Sequence, residues 1–224
     1  MKGAPPVSLV RRNDTHRLVP SRHGATVLAS LADGDAELAE IFDLDHATND
    51  RLLGENQRLP GIGMAELLFG VPYHRIVNAA FTHPHPLGSR FNGPDRGAWY
   101  AAFKERTAQA EVAFHKTVQL AEIGLFQDEV SYDDYRADFS AELHDLREAK
   151  GFGDCLDPDS YVQSQALAER LLASGSLGVV YGSVRRRGGT CLACFRPALV
   201  MNVRRGASFR FRWNGSPRPE IRRG

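Results

Sequence analysis

Cysteine is scarce in this chain. Its 224 residues hold three, Cys155, Cys191 and Cys194. That odd number, in a chain long enough to bury a core without covalent staples, argues against a disulfide scaffold and for a reducing cytoplasm. Long apolar runs are also missing: nothing reaches the roughly 18 residues needed to cross a bilayer. The opening MKGAPPVSLVRRND is broken by proline and charge before a signal-peptide core could form. The expectation is a soluble cytoplasmic protein with no membrane association. Neither a G-x-G-x-x-G fingerprint nor a P-loop lysine motif occurs, which argues against Rossmann and Walker nucleotide sites. There is no internal repeat and no low-complexity linker. With 42% apolar and 25% charged residues, wholly disordered and collagen-like chains are excluded, and one domain is expected.

Lysine is absent from one end. From Arg185 to Gly224 there are eleven arginines and a single acid, Glu220, so that segment carries +10 and leaves −9 for residues 1–184 within a net charge of +1. Arginine presents a planar fork suited to phosphates and carboxylates, so the segment could meet a nucleic acid, a nucleotide or an acidic partner. It could equally be a solvated strand surface, because arginine stems pack well. The alternation of Phe209, Phe211 and Trp213 with Arg210 and Arg212 keeps a non-catalytic, arginine-rich nucleic-acid-binding module open as an alternative function.

Along the chain, residues 1–15 read as a flexible arm, and residues 16–224 as a single domain with an inserted helical and loop region at about 25–80. Within that insert, Leu31–Leu44 has the spacing of an acidic surface helix, and residues 49–63 are broken by glycine and proline. Pro84 and Pro86 force an extended turn into Arg90. Residues 97–103, GAWYAAF, suit a buried strand. Thr107 is placed to cap a helix that Gly124 ends, with Ala108, Glu111, Val112 and His115 on one side. From Tyr135 to Leu143 apolar residues alternate with polar ones, the period of a half-buried strand. A helix with Val162, Leu167, Leu171 and Leu172 follows and stops at Gly175. LGVVYGSV and TCLACF then read as strands joined by an RRRGG turn. Helices and strands in mixed order indicate an α/β or α+β domain.

Polar groups at strand ends and on an inward helix face build pockets in such folds. Arg90, Tyr100, Glu111 and Ser183 occupy such places. Other constellations carry less. Cys191 and Cys194 have C-x-x-C spacing, but in a strand an odd offset sends the thiols to opposite faces, and no second pair completes a zinc site. His83 and His85 sit in a proline turn with no acid nearby. No metal is expected. His115, four positions after Glu111, either positions that carboxylate or is a buried histidine satisfied by backbone.

The segment SRFNGPDRGAWYAAFKERTAQAEVAFH, with LGVVYGSVRRRGGTCLACFRP after it, resembles the RES domain family, toxins paired with Xre-type antitoxins. The resemblance runs from HRLVPSR at residue 16 to RFRWNG. It implies an α+β, ADP-ribosyltransferase-like fold, a mixed β-sheet core with flanking helices. It also implies an enzyme that binds NAD and cleaves its nicotinamide–ribose bond by hydrolysis or phosphorolysis, or that transfers ADP-ribose to a protein. By motif, Glu111, Arg90 and Ser183 fall on its catalytic positions, and Arg17, Arg90, Tyr100 and Ser183 on its NAD-binding positions. Arg75 competes with Arg17 for the role of the N-terminal arginine, and Leu18 replaces an aromatic that follows this arginine in some members. The implied chemistry suits these residue types. A carboxylate near the ribose stabilises a cation-like sugar, guanidinium forks hold the pyrophosphate, an aromatic face receives nicotinamide, and the serine hydroxyl bonds a ribose or phosphate oxygen.

Overall fold

The computed structural model describes residues 3–21 and 61–224. The expected acidic helix Leu31–Leu44, and all but the last residues of the loop over 49–63, lie outside them. Seven strands form one mixed sheet: β1 (Val7–Pro20), β2 (Trp99–Ala102), β3 (Gln127–Asp145), β4 (Gly178–Gly182), β5 (Thr190–Cys194), β6 (Met201–Asn214) and β7 (Glu220–Arg223). Among the described residues three α-helices flank it, α1 (His74–Thr82), α2 (Glu105–Glu122) and α3 (Val162–Ala173). The architecture is α+β, as expected.

The strand order is β1-β2-β5-β4-β3-β6-β7, and β1 also pairs with β3. Five strands therefore close into a ring, from which β6 and β7 extend. β3 is the hub. It runs antiparallel to β1 from Val7 opposite His144 to Pro20 opposite Tyr132, antiparallel to β6, and parallel to β4 at its last two residues. The β1 pairing corrects the flexible arm expected over residues 1–15: from Val7 onward that segment is strand. Proline at positions 5 and 6 lies just ahead of the ladder, where a missing N–H costs nothing.

Alternation in β3 is as expected, with Ala137, Phe139, Ala141 and Leu143 buried and Ser140 and Glu142 exposed. The helix boundaries differ at the start and agree at the stop. α2 begins at Glu105 with Lys104 as its cap residue, so Thr107 does not cap it; Thr107 is buried within the first turn, its own N–H bonded to the Lys104 carbonyl at 2.9 Å. The chain leaves β2 directly into the helix, and the start follows the strand end rather than the best capping side chain. Gly124 and Gly175 end α2 and α3 at φ of 66° and 82°, left-handed values that suit glycine. In α3 the buried face is Ser164, Leu167, Ala168 and Leu171, while Val162 is exposed.

Two apolar clusters lie on either side of the sheet. One holds Phe91, Leu167, Val179, Tyr181, Cys191 and Trp213; the other holds Phe81, Trp99, Tyr135, Phe139, Leu192 and Cys194. Cys191 and Cys194 thus sit on opposite faces, as their offset requires. Phe81, Leu143, Leu192 and Phe211 are sealed from solvent, and each such burial stabilises the fold by roughly 1.5–3 kcal/mol.

Part of the charge asymmetry of the sequence is compensated by ion pairs in and beside this sheet. Arg204 Nη2 lies 2.6 Å from Asp14 and 2.8 Å from Asp138, and Arg205 Nη2 lies 2.9 Å from Asp133. Arg210 and Arg212 flank Glu129 at 3.5 and 4.0 Å, Arg222 meets Glu220, and Arg196 meets Glu66, both at 2.8 Å. Burial alone would raise the Asp133 carboxyl, but bonds from Ser208 and Arg205 prevail and hold it below its ordinary value. The aromatics alternating with these arginines do not form an outer face. Phe209, Phe211 and Trp213 point into the core, and Trp213 Nε1 donates to Thr117 Oγ1 at 3.0 Å.

Candidate active site

A cavity of about 240 Å³ opens between β1, α2 and the turn at Ser89–Arg90. Arg17, Arg90, Tyr100 and Glu111, four of the five residues expected at a site, line it together with Tyr161 and Tyr181. Ser183, the fifth, stands behind Glu111. Arg75, the rival of Arg17, does not line it.

Glu111 projects from the second turn of α2. Ser183, one residue past the end of β4, donates its hydroxyl to Glu111 Oε1 at 2.6 Å. Its oxygen in turn accepts the backbone N–H groups of Arg185 and Arg186 at 3.3 and 3.0 Å. With both N–H groups directed at its oxygen, the hydroxyl proton is left to point at the carboxylate, so Ser183 fixes the orientation of Glu111. The RRRGG turn makes this possible by folding back on α2. A β-carbon at Gly189 would fall 2.7 Å from Thr107 Cγ2, so the turn needs glycine there. Cys191 Sγ packs 3.7 Å from the same Oε1. Burial, reinforced by the charge of Glu111, pushes the thiol well above its ordinary value and keeps it protonated.

Tyr100 lines the cavity, and its hydroxyl is tied into the neighbouring turn. Its hydroxyl donates to Asn92 Oδ1 and accepts the Phe91 N–H, both at 2.8 Å. It therefore clamps the R-F-N turn that carries Arg90, and burial pushes its phenol well above the ordinary value. Arg90 is buried, stacks on Tyr161 at 4.6 Å from the ring centroid, and donates Nη1 to the Asp157 carbonyl at 2.6 Å. One edge of this guanidinium is spent on holding it in place.

Arg17 comes from β1 and stacks on Trp99 at 4.9 Å, with Nη1 donating to the Tyr100 carbonyl at 3.2 Å. No carboxylate pairs with it among the described residues, and its Nε is buried without a hydrogen-bond partner. Burial lowers its pKa to about 10, with the nearby Tyr100 acting in the opposite direction. A desolvated guanidinium without a counterion is costly. An anion entering the cavity would offset that cost.

A second cavity of about 550 Å³ adjoins the first and shares Arg17, Ser89 and Tyr100 with it. His83 and His85 line this lobe, and both serve the turn: His83 Nδ1 lies 2.8 Å from Thr82 Oγ1, and His85 Nδ1 accepts the Leu87 N–H at 3.1 Å. His115 stands at the lip of the first lobe. Desolvation lowers its pKa, against the pull of Glu111. Tyr161, which carries Arg90, and His16, which precedes Arg17 and faces the same cavity, were not singled out in the sequence. Tyr161 sits in a turn before a helix and has no local signature. His16 was visible only as the neighbour of Arg17.

The described residues contain no group of three or more His, Cys, Asp and Glu side chains placed to hold a metal ion. No helix among them is long and apolar enough to cross a membrane. A search of curated proteins finds no match. Among solved structures, the M. tuberculosis MbcT–MbcA toxin–antitoxin complex is similar at 18% identity over 58% of this chain and 73% of that chain, with a TM-score of 0.43. The RES domain family matches residues 67–214, well over half of the chain. The ordered motif around Arg90, Tyr100, Glu111 and Ser183 falls wholly inside that stretch, and the chain belongs to the RES domain family.

Proposed function

We propose that this protein is a toxin-like enzyme that binds NAD and cleaves its nicotinamide–ribose bond, passing the ribosyl carbon to water or phosphate. The observation that carries this reading is the convergence, in one cavity, of an oriented carboxylate and a buried guanidinium that has no counterion among the described residues. Glycosidic cleavage builds positive charge on the sugar, and a carboxylate held in place before the reaction stabilises that charge without reorganising. Ser183 supplies the holding bond to Glu111. Arg17 stands where the two lobes meet, a position suited to a pyrophosphate between two nucleoside halves, with nicotinamide riboside toward Glu111 and adenosine toward the second lobe. Leaving nicotinamide is neutral, so its departure needs no acid. An antitoxin protein of the Xre type belongs to the same proposal as the partner that silences the enzyme.

The test is direct. Purified protein incubated with NAD should release nicotinamide, and its expression in cells should lower NAD and stop growth unless the antitoxin is coexpressed. Release indistinguishable from a buffer control would sink the proposal. Transfer of ADP-ribose to a protein is a second outcome of the same pocket, read by label appearing on protein. Nucleic-acid binding finds less support, because the β6 arginines that alternate with the aromatics lie over acids of β1 and β3, and those aromatics are buried.

A further inference from the structure

His16 and Asp134 form a pair that the site described so far does not use. His16 lies on β1 beside Arg17 and lines the cavity that holds Glu111. Its Nδ1 is 2.8 Å from Asp134 Oδ2, across the β1–β3 ladder, where Asp134 stands opposite Leu18. The Asp134 side chain is 2% exposed and that of His16 is 16% exposed, so the carboxylate is sealed while the imidazole still reaches the cavity. Asp134 Oδ1 has no hydrogen-bond partner among the described residues. The neighbouring strand accommodates the carboxylate: a β-carbon at Gly206 of β6 would lie 3.0 Å from Asp134 Oδ2.

The consequence is a fixed tautomer. A carboxylate accepts only, so the proton of a neutral imidazole sits on Nδ1 and leaves Nε2, on the other edge of the ring, as an acceptor. Nε2 makes no hydrogen bond to the described residues. A buried acid that orients a histidine in this way also stabilises the imidazolium that forms when Nε2 takes a proton.

Resting on the NAD-cleaving reading above, we infer that His16, positioned by Asp134, is the general base for the attacking water. The bond between the ribose carbon and the nicotinamide nitrogen breaks, and its electron pair leaves with neutral nicotinamide. The water oxygen bonds to that carbon. The water proton passes to His16 Nε2 and from there to solvent, so that NAD and water give ADP-ribose, nicotinamide and one proton. His16 is the catalytic residue of this step, and Asp134 is a positioning residue.

The experiment measures kcat and KM for nicotinamide release by the full chain as wild type, His16→Ala, His16→Gln, Asp134→Asn and Glu111→Ala, with and without added imidazole, alongside melting temperatures. Loss of a general base is expected to lower kcat by roughly 100-fold in both His16 variants with KM little changed. Asp134→Asn is expected to lower kcat nearly as far as the His16 variants, because the amide no longer fixes the Nδ1–H tautomer. Imidazole should restore kcat to His16→Ala and leave Glu111→Ala unaffected. A kcat within twofold of wild type in both His16 variants overturns the assignment, as does a loss confined to KM or a loss in His16→Ala that imidazole does not restore. Wild-type protein that releases no nicotinamide overturns the NAD reading and this inference together; the preceding results overturn this inference alone.

Discussion

Arginine does opposite work in two parts of this molecule. On β6 the guanidinium groups of Arg204, Arg205, Arg210 and Arg212 lie over acids of β1 and β3, so that much of the formal charge of that strand is locally compensated. In the cavity, Arg17 has no acid beside it and Arg90 meets only carbonyls and a ring among the described residues. A dense run of one charge is therefore a poor guide to a binding surface when its complement lies far away in sequence. The better sign is a desolvated charge left without a counterion, because such a cost persists only where something else offsets it.

This contrast can be broken by substitutions in each region. The largest effect is expected from Glu111→Ala, which should lower the rate of nicotinamide release by roughly 100-fold or more, the scale of a lost electrostatic stabiliser; a rate equal to wild type would remove Glu111 from the reaction. Ser183→Ala removes a hydrogen bond to a charged group and should cost roughly tenfold in kcat. Arg17→Ala should raise KM by roughly tenfold, the loss of one charged contact to the substrate, whereas Arg210→Ala with Arg212→Ala should leave both constants unchanged. If the double variant weakened NAD cleavage as much as Arg17→Ala, the division drawn here would be wrong.

Smaller effects belong to stability. Arg204→Ala should lower the unfolding free energy by about 1 kcal/mol in denaturant titrations, because its pairs are partly exposed, and should spare activity. The acid limb of the melting profile has a defined sign. Hydrogen bonds from Arg96 hold Glu66 down from 4.5 to about 2, and those from Arg147 hold Asp145 down from 3.8 to about 2. Carboxyls with depressed folded-state values stabilise above their unfolded values and lose that contribution as protons bind. The melting temperature should fall as pH drops from about 4.5 to about 2, and Glu66→Gln should flatten part of that fall.

Much of the fold was legible in local patterns. The alternation in β3 marks its buried face, Gly124 and Gly175 mark helix ends, and the offset between Cys191 and Cys194 places their thiols. What escaped depends on partners distant in sequence. The strand nature of Val7–Pro20 is set by the edge of β3, more than a hundred residues later, and the proline pair before it reads locally as a loose arm. The parallel contact of β3 with β4 leaves no periodic signature. For the site, the residue set around Glu111 was readable as a motif, but its internal division was not. Tyr100 and Ser183, expected at the ligand, also clamp the turn of Arg90 and orient Glu111. Asp134 lies just before the alternating run that starts at Tyr135 and carries no local signal, because its significance depends on an imidazole brought across the ladder.

Because β1 completes the strand ring, a fragment trimmed to residues 67–214 would retain Glu111 and Ser183 but lose both Arg17 and His16. It would also bare the long edge of β3, a ready template for strand addition by another copy. Anyone shortening this protein for expression, or grafting its candidate site onto another scaffold, should carry Val7–Pro20 along, covalently or as a separate peptide.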